Sequence, residues 1–266
     1  SRAKRNDPDM TVTVLEKTGD VSYSACGMPY NIADPQRNMD DLVVRRAEVF
    51  REKQGINLHT DHTAQAIDPD ARQISGTTRD GQPFTFDYDV LLIATGADAI
   101  FPNVPGTDLE GVMALKSLSD GKQIKTWLAD HTVKNAVIIG MGYIGLEMAE
   151  ALRQRDINVT MIKPRPTLLP WMAPDLSEVV RQELTDNQVT LQTGFDLQKI
   201  EADGDSLQVV GQDTTLPADL VLSAIGVTPN SAIAKDAGLK LGRHDEISVD
   251  KQLRTSVPDI YAAGDC

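Results

Sequence analysis

The sequence predicts an α/β protein made of two related domains, with the second inserted into the first. Along its 266 residues, β-branched and apolar runs alternate with segments of helical spacing, a pattern typical of doubly wound, largely parallel sheets. The stretches YDVLLIATGA (88–97) and ADLVLSAIGV (218–227) share an acidic start, an apolar strand and a glycine turn, which suggests related domains. The Pro-rich FPNVPG (101–106) is typical of a domain boundary.

Hydrophobic periodicity assigns the elements in chain order. The first part contains a strand (11–17), a helix (45–55), an alternating strand (57–67), a β-hairpin (72–87) turning at Asp80-Gly81, and a buried strand that runs into a glycine turn (89–96). The second part contains a helix within 111–131, a strand, glycine turn, helix and strand over 136–163, a helix (174–188) that begins near Pro174, strands around 189–192, 197–200 and 207–210, and a closing strand within 218–227.

Charge and composition exclude several classes of function. The chain has 26 basic and 39 acidic residues, and a surface with a net charge of −13 repels nucleic acid and anionic membranes. No apolar run reaches the roughly 18 residues that a membrane span needs, and no signal peptide is visible. Two cysteines are too few for a disulfide scaffold, which favours a reducing, cytoplasmic location.

The strongest motif is a glycine turn in which Gly140, Gly142 and Gly145 fit G-x-G-x-x-G. It follows the apolar strand 136–139 and opens a helix, after which comes a second strand, 159–162. In that context the three glycines allow a tight turn, a close approach to a pyrophosphate, and close packing of the helix on the strand. The helix N-terminus would supply N–H donors to the phosphates, so we expect a bound dinucleotide.

The helix after this turn is expected to place Ile144, Met148 and Ala151 on one face. At the end of the second strand, where an acidic residue would bind the ribose of NAD, the sequence has Lys163, followed by Arg165. This cationic pair suits a 2′-phosphate and favours NADPH, although two ordinary surface cations would give the same sequence and NADH remains an alternative.

Glu16 ends its predicted strand as a ribose-binding acid would. Lys163 lies 23 residues after Gly140, and the same spacing places a glycine partner for Glu16 about seven residues before Ser1. We therefore expect a second dinucleotide site whose glycine turn precedes this chain, with SRAKRND (1–7) as the end of its helix; both ends of the chain look cut. A solvated strand end is the simpler alternative for Glu16.

The stretch SYSACGMPY (22–30) contains Cys26. A hydride carrier together with a second dinucleotide suggests a flavoprotein, in which a thiol can cycle through a disulfide or a sulfenic acid and a serine cannot. Gly27 is expected to leave room beside the sulfur for a flat ring. Pro29 suits a first helical turn, which would place Cys26 near a helix N-terminus and favour the thiolate. A buried structural cysteine is the alternative.

No second cysteine follows Cys26 within reach, since the residue five positions on is Asn31. An internal dithiol pair is therefore excluded, and Cys26 must pair with an external thiol or cycle through its own sulfenic acid. We expect Cys266 to be structural. His59 and His62 are expected on opposite faces of a strand, and no metal site is predicted.

Together the motifs resemble the single-cysteine branch of the FAD-dependent pyridine nucleotide–disulfide oxidoreductases. The chain looks most like the coenzyme A disulfide reductases, whose relatives include NADH oxidases, NADH peroxidases and polysulfide or persulfide reductases. The resemblance implies two Rossmann-like domains, an FAD-binding domain (1–110 with 229–266) and an inserted NAD(P)H-binding domain (111–228), and a homodimer formed through a C-terminal domain that this sequence lacks. The motifs are SYSACGMPY (22–30), LLIATGA (91–97), VIIGMGYIGLEMAE (137–150), LSAIGVTPN (222–230) and TSVPDIYAAGDC (255–266).

The resemblance also implies individual roles. Cys26 would be the redox-active nucleophile, resting as a mixed disulfide with coenzyme A, and Arg5 and Ser22 would contact the coenzyme A. The FAD residues would be Glu16, Lys17, Thr95, Gly96 and Asp265, and the NAD(P)H residues would be Gly140, Gly142, Tyr143, Ile144, Gly145, Glu147, Lys163, Arg165 and Gly226, with Tyr143 gating the nicotinamide pocket.

The sequence therefore predicts that electrons pass from NAD(P)H through FAD to Cys26, which reduces coenzyme A disulfide or a related small disulfide or persulfide. One alternative keeps the fold and reduces peroxide or oxygen through a Cys26 sulfenic acid. Two others are a flavoprotein that donates electrons to a protein partner and a nucleotide-binding module without this chemistry.

Overall fold

A computed structural model describes residues 2–266, which divide into two compact units. The first unit comprises the chain up to Tyr23, Val43–Asp98 and Thr228–Cys266. The second comprises Ser24–Leu42, here called the cysteine segment, and Ala99–Val227. These units differ from the expected domains mainly in the cysteine segment, which the sequence places in the first domain and the compact units place in the second.

The elements follow the predicted alternation of strands and helices. Up to residue 99 they are α1 (Arg2–Asn6), β1 (Thr13–Leu15), α2 (Met28–Ala33), β2 (Asn57–His59), β3 (His62–Asp68), β4 (Gln73–Thr78), β5 (Pro83–Asp87), β6 (Leu91–Ile93) and β7 (Ala97–Ala99). The rest are β8 (Val112–Ala114), α3 (Leu118–Asp130), β9 (Asn135–Ile139), α4 (Tyr143–Arg153), β10 (Asn158–Lys163), α5 (Pro174–Asp186), β11 (Val189–Thr193), β12 (Leu197–Asp203), β13 (Ser206–Gly211), β14 (Thr215–Ala218), β15 (Leu220–Ser223), β16 (Val227–Pro229), α6 (Ala232–Asp236) and β17 (Ile260–Ala262). Short 3-10 turns cover Ala25–Gly27 and Met39–Leu42, and a π-helical turn covers Val49–Lys53 within the predicted helix 45–55.

The second unit is built on a five-stranded parallel sheet in the order β11-β10-β9-β15-β8. The predicted strand, turn, helix and strand over 136–163 are β9, α4 and β10, so that prediction is confirmed. A three-stranded antiparallel sheet, β12-β13-β14, packs through Val209 and Ile200 into the same apolar core as Val137 and Val221. The second unit thus contains the parallel sheet that the alternation predicted, with the antiparallel sheet packed against its core.

The first unit contains smaller sheets. Strand β1 pairs in parallel with β2, β6 with β17, and β3, β4 and β5 form an antiparallel meander whose predicted turn at Gly81 has φ +77. The prediction that strand 89–96 is buried is wrong, because only Ile93 lies in the core and Leu92 is 58% exposed. Strand β6 is short, and one of its faces is open.

The predicted single strand 57–67 is also wrong. Asp61 has φ +56, which breaks the segment into β2 and β3. The break brings His59 and His62 together with ring centroids 5.1 Å apart, rather than on opposite faces, and Phe84 and Phe86 pack against them.

Two searches of residues 2–266 complete the description. None of their helices is both long enough and apolar enough to cross a membrane. These residues also contain no cluster of three or more His, Cys, Asp or Glu side chains that could hold a metal ion.

We predict that His59 makes the stability of the protein depend on pH. Burial, then His62 and Arg51, lower the pKa of His59 below its ordinary value of 6.5. Between the two pKa values the unfolded chain binds more protons than the folded one, so the free energy of unfolding falls as pH drops from 7.5 to 5.5. Urea unfolding of His59→Gln should show a shallower dependence than the unsubstituted protein over this range; an equal or steeper one would contradict the assignment.

Candidate active site

The carboxyl ends of β9 and β15, here called the crevice, lie where the order of the parallel sheet reverses. Such a switch point is where ligands bind in open parallel sheets. Gly140 follows β9 with φ +108, and an added Cβ there would lie 2.4 Å from the carbonyl oxygen of Ala224 after β15. Only glycine allows the two strand ends to approach this closely.

The other two glycines of the turn have different roles. A Cβ on Gly142, the N-cap of α4, would have nothing within 4 Å, so the backbone here is open to a ligand. A Cβ on Gly145 would lie 2.9 Å from the Gly140 carbonyl oxygen and 3.3 Å from Met161 Cε, so this glycine lets α4 pack against the sheet. Gly140 and Gly145 therefore have the steric reasons that the motif predicts, whereas Gly142 has no protein neighbour that would exclude a side chain.

The first turn of α4 presents side chains outward. Tyr143 is 66% exposed, and its hydroxyl accepts a hydrogen bond of 3.3 Å from Trp171 Nε1. Ile144 is 40% exposed, whereas Met148 and Ala151, which were expected on the same face of the helix, are buried. Glu147 is half-buried one turn further along. Nothing in the sequence indicates the contact between Trp171 and Tyr143, because the two lie 28 residues apart.

The loops after β10 and β15 complete the crevice. Lys163 Nζ donates to the Thr167 carbonyl oxygen at 2.8 Å, and burial, followed by Arg165, lowers the pKa of this lysine. Lys163 is therefore directed at its own loop, whereas Arg165 is exposed. Gly226 has φ +129 and accepts from Ile100 N at 3.0 Å, so its backbone lies exposed beside the crevice.

The cysteine segment carries an exposed, free thiol on Cys26. Cys26 lies in the 3-10 turn that precedes α2, and Pro29 falls in the first turn of that helix, as predicted. The absence of a side chain at Gly27 serves a different purpose from the predicted one. A Cβ on Gly27 would lie 2.8 Å from Leu42 Cδ2, so this side is occupied by Leu42 rather than open for a ring.

The segment is anchored to the rest of the second unit through α2, which packs against α3 and α4. Met28 and Ile32 are buried, and so is the polar side chain of Asn31. Lys125 on α3 donates hydrogen bonds to the end of α2. Sequence reasoning missed Lys125, because a single lysine on an amphipathic helix gives no sign of a partner 94 residues away.

In the first unit, Glu16 follows β1 as predicted, and its Oε1 accepts from the amide and the hydroxyl of Thr18, both at 2.8 Å. These bonds hold the carboxylate in one orientation at the strand end. The neighbouring Lys17 forms an exposed ion pair of 3.2 Å with Asp98.

Thr95 and Gly96 form the turn after β6, where Gly96 has φ +67. Asn230 closes this turn. The Thr95 hydroxyl Oγ1 donates to the Asn230 carbonyl oxygen at 2.6 Å, and the Asn230 backbone N–H donates to the Gly96 carbonyl oxygen at 2.9 Å. The turn is therefore rigid, with Thr95 exposed.

The remaining predicted residues are spread over the first unit. Asp265 is exposed after Gly264, which has φ +98. Cys266 is buried in an apolar core with Ile93 and Ile260, which confirms its structural role. Arg5 is exposed on α1, and Ser22 is half-buried, with its carbonyl oxygen accepting from Val44 N at 2.9 Å.

Residues 1–266 match the family described as pyridine nucleotide-disulphide oxidoreductase. The chain belongs to this family. This confirms the resemblance inferred from the sequence motifs, together with the α/β fold of two Rossmann-like parts.

Individual relatives have different activities. The chain is 33% identical over 268 residues to an NADH oxidase of Methanocaldococcus jannaschii, and 34% identical over 266 residues to the NAD(P)H coenzyme A polysulfide/persulfide reductase of Pyrococcus horikoshii. Both alignments cover 100% of this chain and 59% of the relative. The solved structure of an NAD-dependent persulfide reductase from A. fulgidus superimposes with a TM-score of 0.95 at 35% identity, covering 100% of this chain and 50% of that one. The chain thus spans little more than half the length of these relatives.

We predict that Gly140→Ala destabilises the second unit by about 3 kcal/mol, because the side chain would clash with the Ala224 carbonyl and require a strained φ. Gly142→Ala is the matched control: its φ is −89 and its Cβ would meet nothing within 4 Å, so the free energy of unfolding should change by less than about 1 kcal/mol. Urea unfolding of both variants tests this, and equal losses would contradict it.

Proposed function

We propose that this chain is the cofactor-binding part of an NAD(P)H- and FAD-dependent enzyme that reduces coenzyme A disulfide, or a related small disulfide or persulfide, through Cys26. One observation carries the proposal: the exposed free thiol of Cys26 belongs to the same compact unit as the glycine turn. A surface thiolate is the species that attacks disulfides, and the glycine turn supplies a place for the nucleotide that delivers electrons.

The crevice of the second unit fits NAD(P)H. Gly142 presents open backbone at the N-terminus of α4, where the pyrophosphate would bind. The exposed ring of Tyr143 and the exposed backbone of Gly226 would border the nicotinamide, and Glu147 would lie near it. Ile144, with 40% of its surface exposed, is available as an apolar contact at the same helix end.

The first unit fits part of an FAD site. The oriented carboxylate of Glu16 would accept the ribose hydroxyls, with Lys17 beside it. The closed turn of Thr95 and Gly96 would lie along the cofactor, and Asp265 would bond the ribityl chain or the pyrophosphate. When bound, these cofactors supply a hydride and relay its two electrons to sulfur.

Cys26 performs the sulfur chemistry. In the resting state its Sγ forms a mixed disulfide with coenzyme A; two electrons break this S–S bond, release one coenzyme A thiol and leave the Cys26 thiolate. The thiolate then attacks the next coenzyme A disulfide, restoring the mixed disulfide and releasing a second thiol. One NAD(P)H and one proton thus convert one disulfide into two thiols.

The proposal also covers the coenzyme A contacts, the oligomeric state and the location of the enzyme. Arg5 and Ser22 would contact coenzyme A, and the working enzyme would be a cytoplasmic homodimer. A chain with a net charge of −13 is unsuited to nucleic acid or anionic membranes as partners.

A second candidate is reduction of oxygen or peroxide through a Cys26 sulfenic acid. Two observations favour it: Cys266, the other cysteine of the chain, is buried in an apolar core, and the M. jannaschii relative is named an NADH oxidase. In this cycle the oxygen of the sulfenic acid leaves as water when Cys26 is reduced, so Cys26 does not need to form a disulfide with a thiol partner.

The mass of the denatured full-length protein separates the two candidates. Loss of one coenzyme A on treatment with dithiothreitol, mapped to Cys26, would support disulfide reduction. A bare thiol, or a gain of oxygen alone, would favour the oxidase or peroxidase cycle.

We predict that Cys26→Ser in the full-length flavoprotein lowers turnover of coenzyme A disulfide by at least about 1,000-fold, because a serine hydroxyl cannot form the mixed disulfide. Reduction of the flavin by NAD(P)H, followed by absorbance in a stopped-flow instrument, should persist. Retained turnover of the disulfide would sink the proposed role of Cys26.

We also predict that Arg165 contributes to recognition of NADPH. Because Lys163 is directed at Thr167, the exposed guanidinium of Arg165 is the better partner for a 2′-phosphate. Arg165→Ala should raise the KM for NADPH by about tenfold and change the KM for NADH less than about twofold. Arg181→Ala, which removes a partly exposed arginine on α5, is the matched control. Equal fold-changes in the KM values for the two coenzymes in Arg165→Ala would contradict the assignment.

A further inference from the structure

The half-buried ammonium group of Lys125 holds the cysteine segment at several points. Lys125 Nζ donates to four oxygens at 2.5 to 3.0 Å: the carbonyl oxygen and side-chain Oδ1 of Asn31, and the carbonyl oxygens of Asp34 and Arg37. An ammonium has three N–H donors, so two of these acceptors share one. Asn31 is 1% exposed, and its Nδ2 donates to the Asn38 carbonyl oxygen at 2.8 Å.

These oxygens belong to the end of α2 and the chain that follows it. The last carbonyls of a helix have no partner within the helix, and a cation there also opposes the negative end of the helix dipole. Arg155 adds a second donor, from Nη1 to the Ile32 carbonyl oxygen at 3.0 Å. Burial and Arg155 lower the pKa of Lys125, while Asp34 and Asp41 oppose this shift.

Apolar contacts also hold the segment. A Cβ on Gly121 of α3 would lie 3.0 Å from Met39 Cε and 3.4 Å from Met28 Sδ, so both methionines pack closely against α3 at this glycine. Met28 is the first residue of α2, two positions after Cys26. The segment is thus held both by the packing of Met28 and Met39 and by the hydrogen bonds of Lys125.

We propose that Lys125 is a positioning residue for Cys26, acting through α2, and that it fixes the orientation in which the thiol meets its disulfide. This rests on the proposed function of Cys26. Helix α2 has only six residues, so the ammonium at its end contributes to the direction of its axis and with it to the place of the preceding turn.

Lys122 provides a matched control on the same helix. Its ammonium lies 2.8 Å from Asp40 Oδ1 in the same segment, but both side chains are more than 40% exposed. Exposed pairs contribute little, so loss of this contact should leave the segment in place.

The test uses the full-length protein loaded with FAD. For Lys125→Gln and Lys122→Gln, the turnover of coenzyme A disulfide is compared with NAD(P)H-dependent reduction of ferricyanide, which bypasses Cys26. The ratio of disulfide to ferricyanide turnover should fall about tenfold in Lys125→Gln and less than about twofold in Lys122→Gln. Alkylation of reduced Cys26 by iodoacetamide should change in rate by at least about threefold only in Lys125→Gln.

Several results would overturn the proposal. An unchanged ratio in Lys125→Gln, or equal falls in both turnovers, would make Lys125 merely structural. If Lys125→Gln yields no flavoprotein, Arg155→Gln is measured in the same way; a ratio lowered about threefold supports the proposal, and an unchanged ratio refutes it. Cys26→Ser is assayed in parallel: if it is inactive on the disulfide while Lys125→Gln is normal, the proposed function stands and only the positioning role fails.

Discussion

The second unit depends on one backbone contact, the approach of Gly140 to the carbonyl oxygen of Ala224. This contact joins the ends of β9 and β15 at the point where the parallel sheet reverses its order. Because the two strand ends meet, the Gly142 backbone and the N-terminus of α4 face the same crevice as Gly226. A side chain at position 140 would separate the strand ends and open the crevice.

The same unit carries the exposed thiol of Cys26, and polar groups help to hold the cysteine segment there. Asn31 is buried, and its side chain is tolerated because it both donates to the Asn38 carbonyl oxygen and accepts from Lys125. The thiol therefore lies in the same compact unit as the glycine turn. The position of the cysteine segment within that unit depends on Lys125, which belongs to neither motif. Such a network specifies one arrangement of α2, which apolar packing of Met28 and Ile32 alone would leave less defined.

Motifs with local steric causes could be predicted from the sequence. Gly140 and Gly145 have the steric reasons that the motif predicts, because the strand, turn and helix that the motif specifies bring these neighbours close. Predictions of burial and of strand continuity over 57–67 and 89–96 were wrong. Leu92 is exposed because no element of the described chain covers it, and His59 meets His62 because Asp61 breaks the strand.

By itself the sequence determined two features of this chain: a Cys26 thiol with no cysteine partner nearby in sequence, and a glycine turn typical of a dinucleotide site. These follow from residue type and short spacing, which no tertiary contact alters. Only the tertiary structure decided which unit holds Cys26 and what fixes it there. The deciding bond joins Lys125 to Asn31, 94 residues apart, and a hydrogen bond over that separation depends on how α2 and α3 pack, which local periodicity does not record.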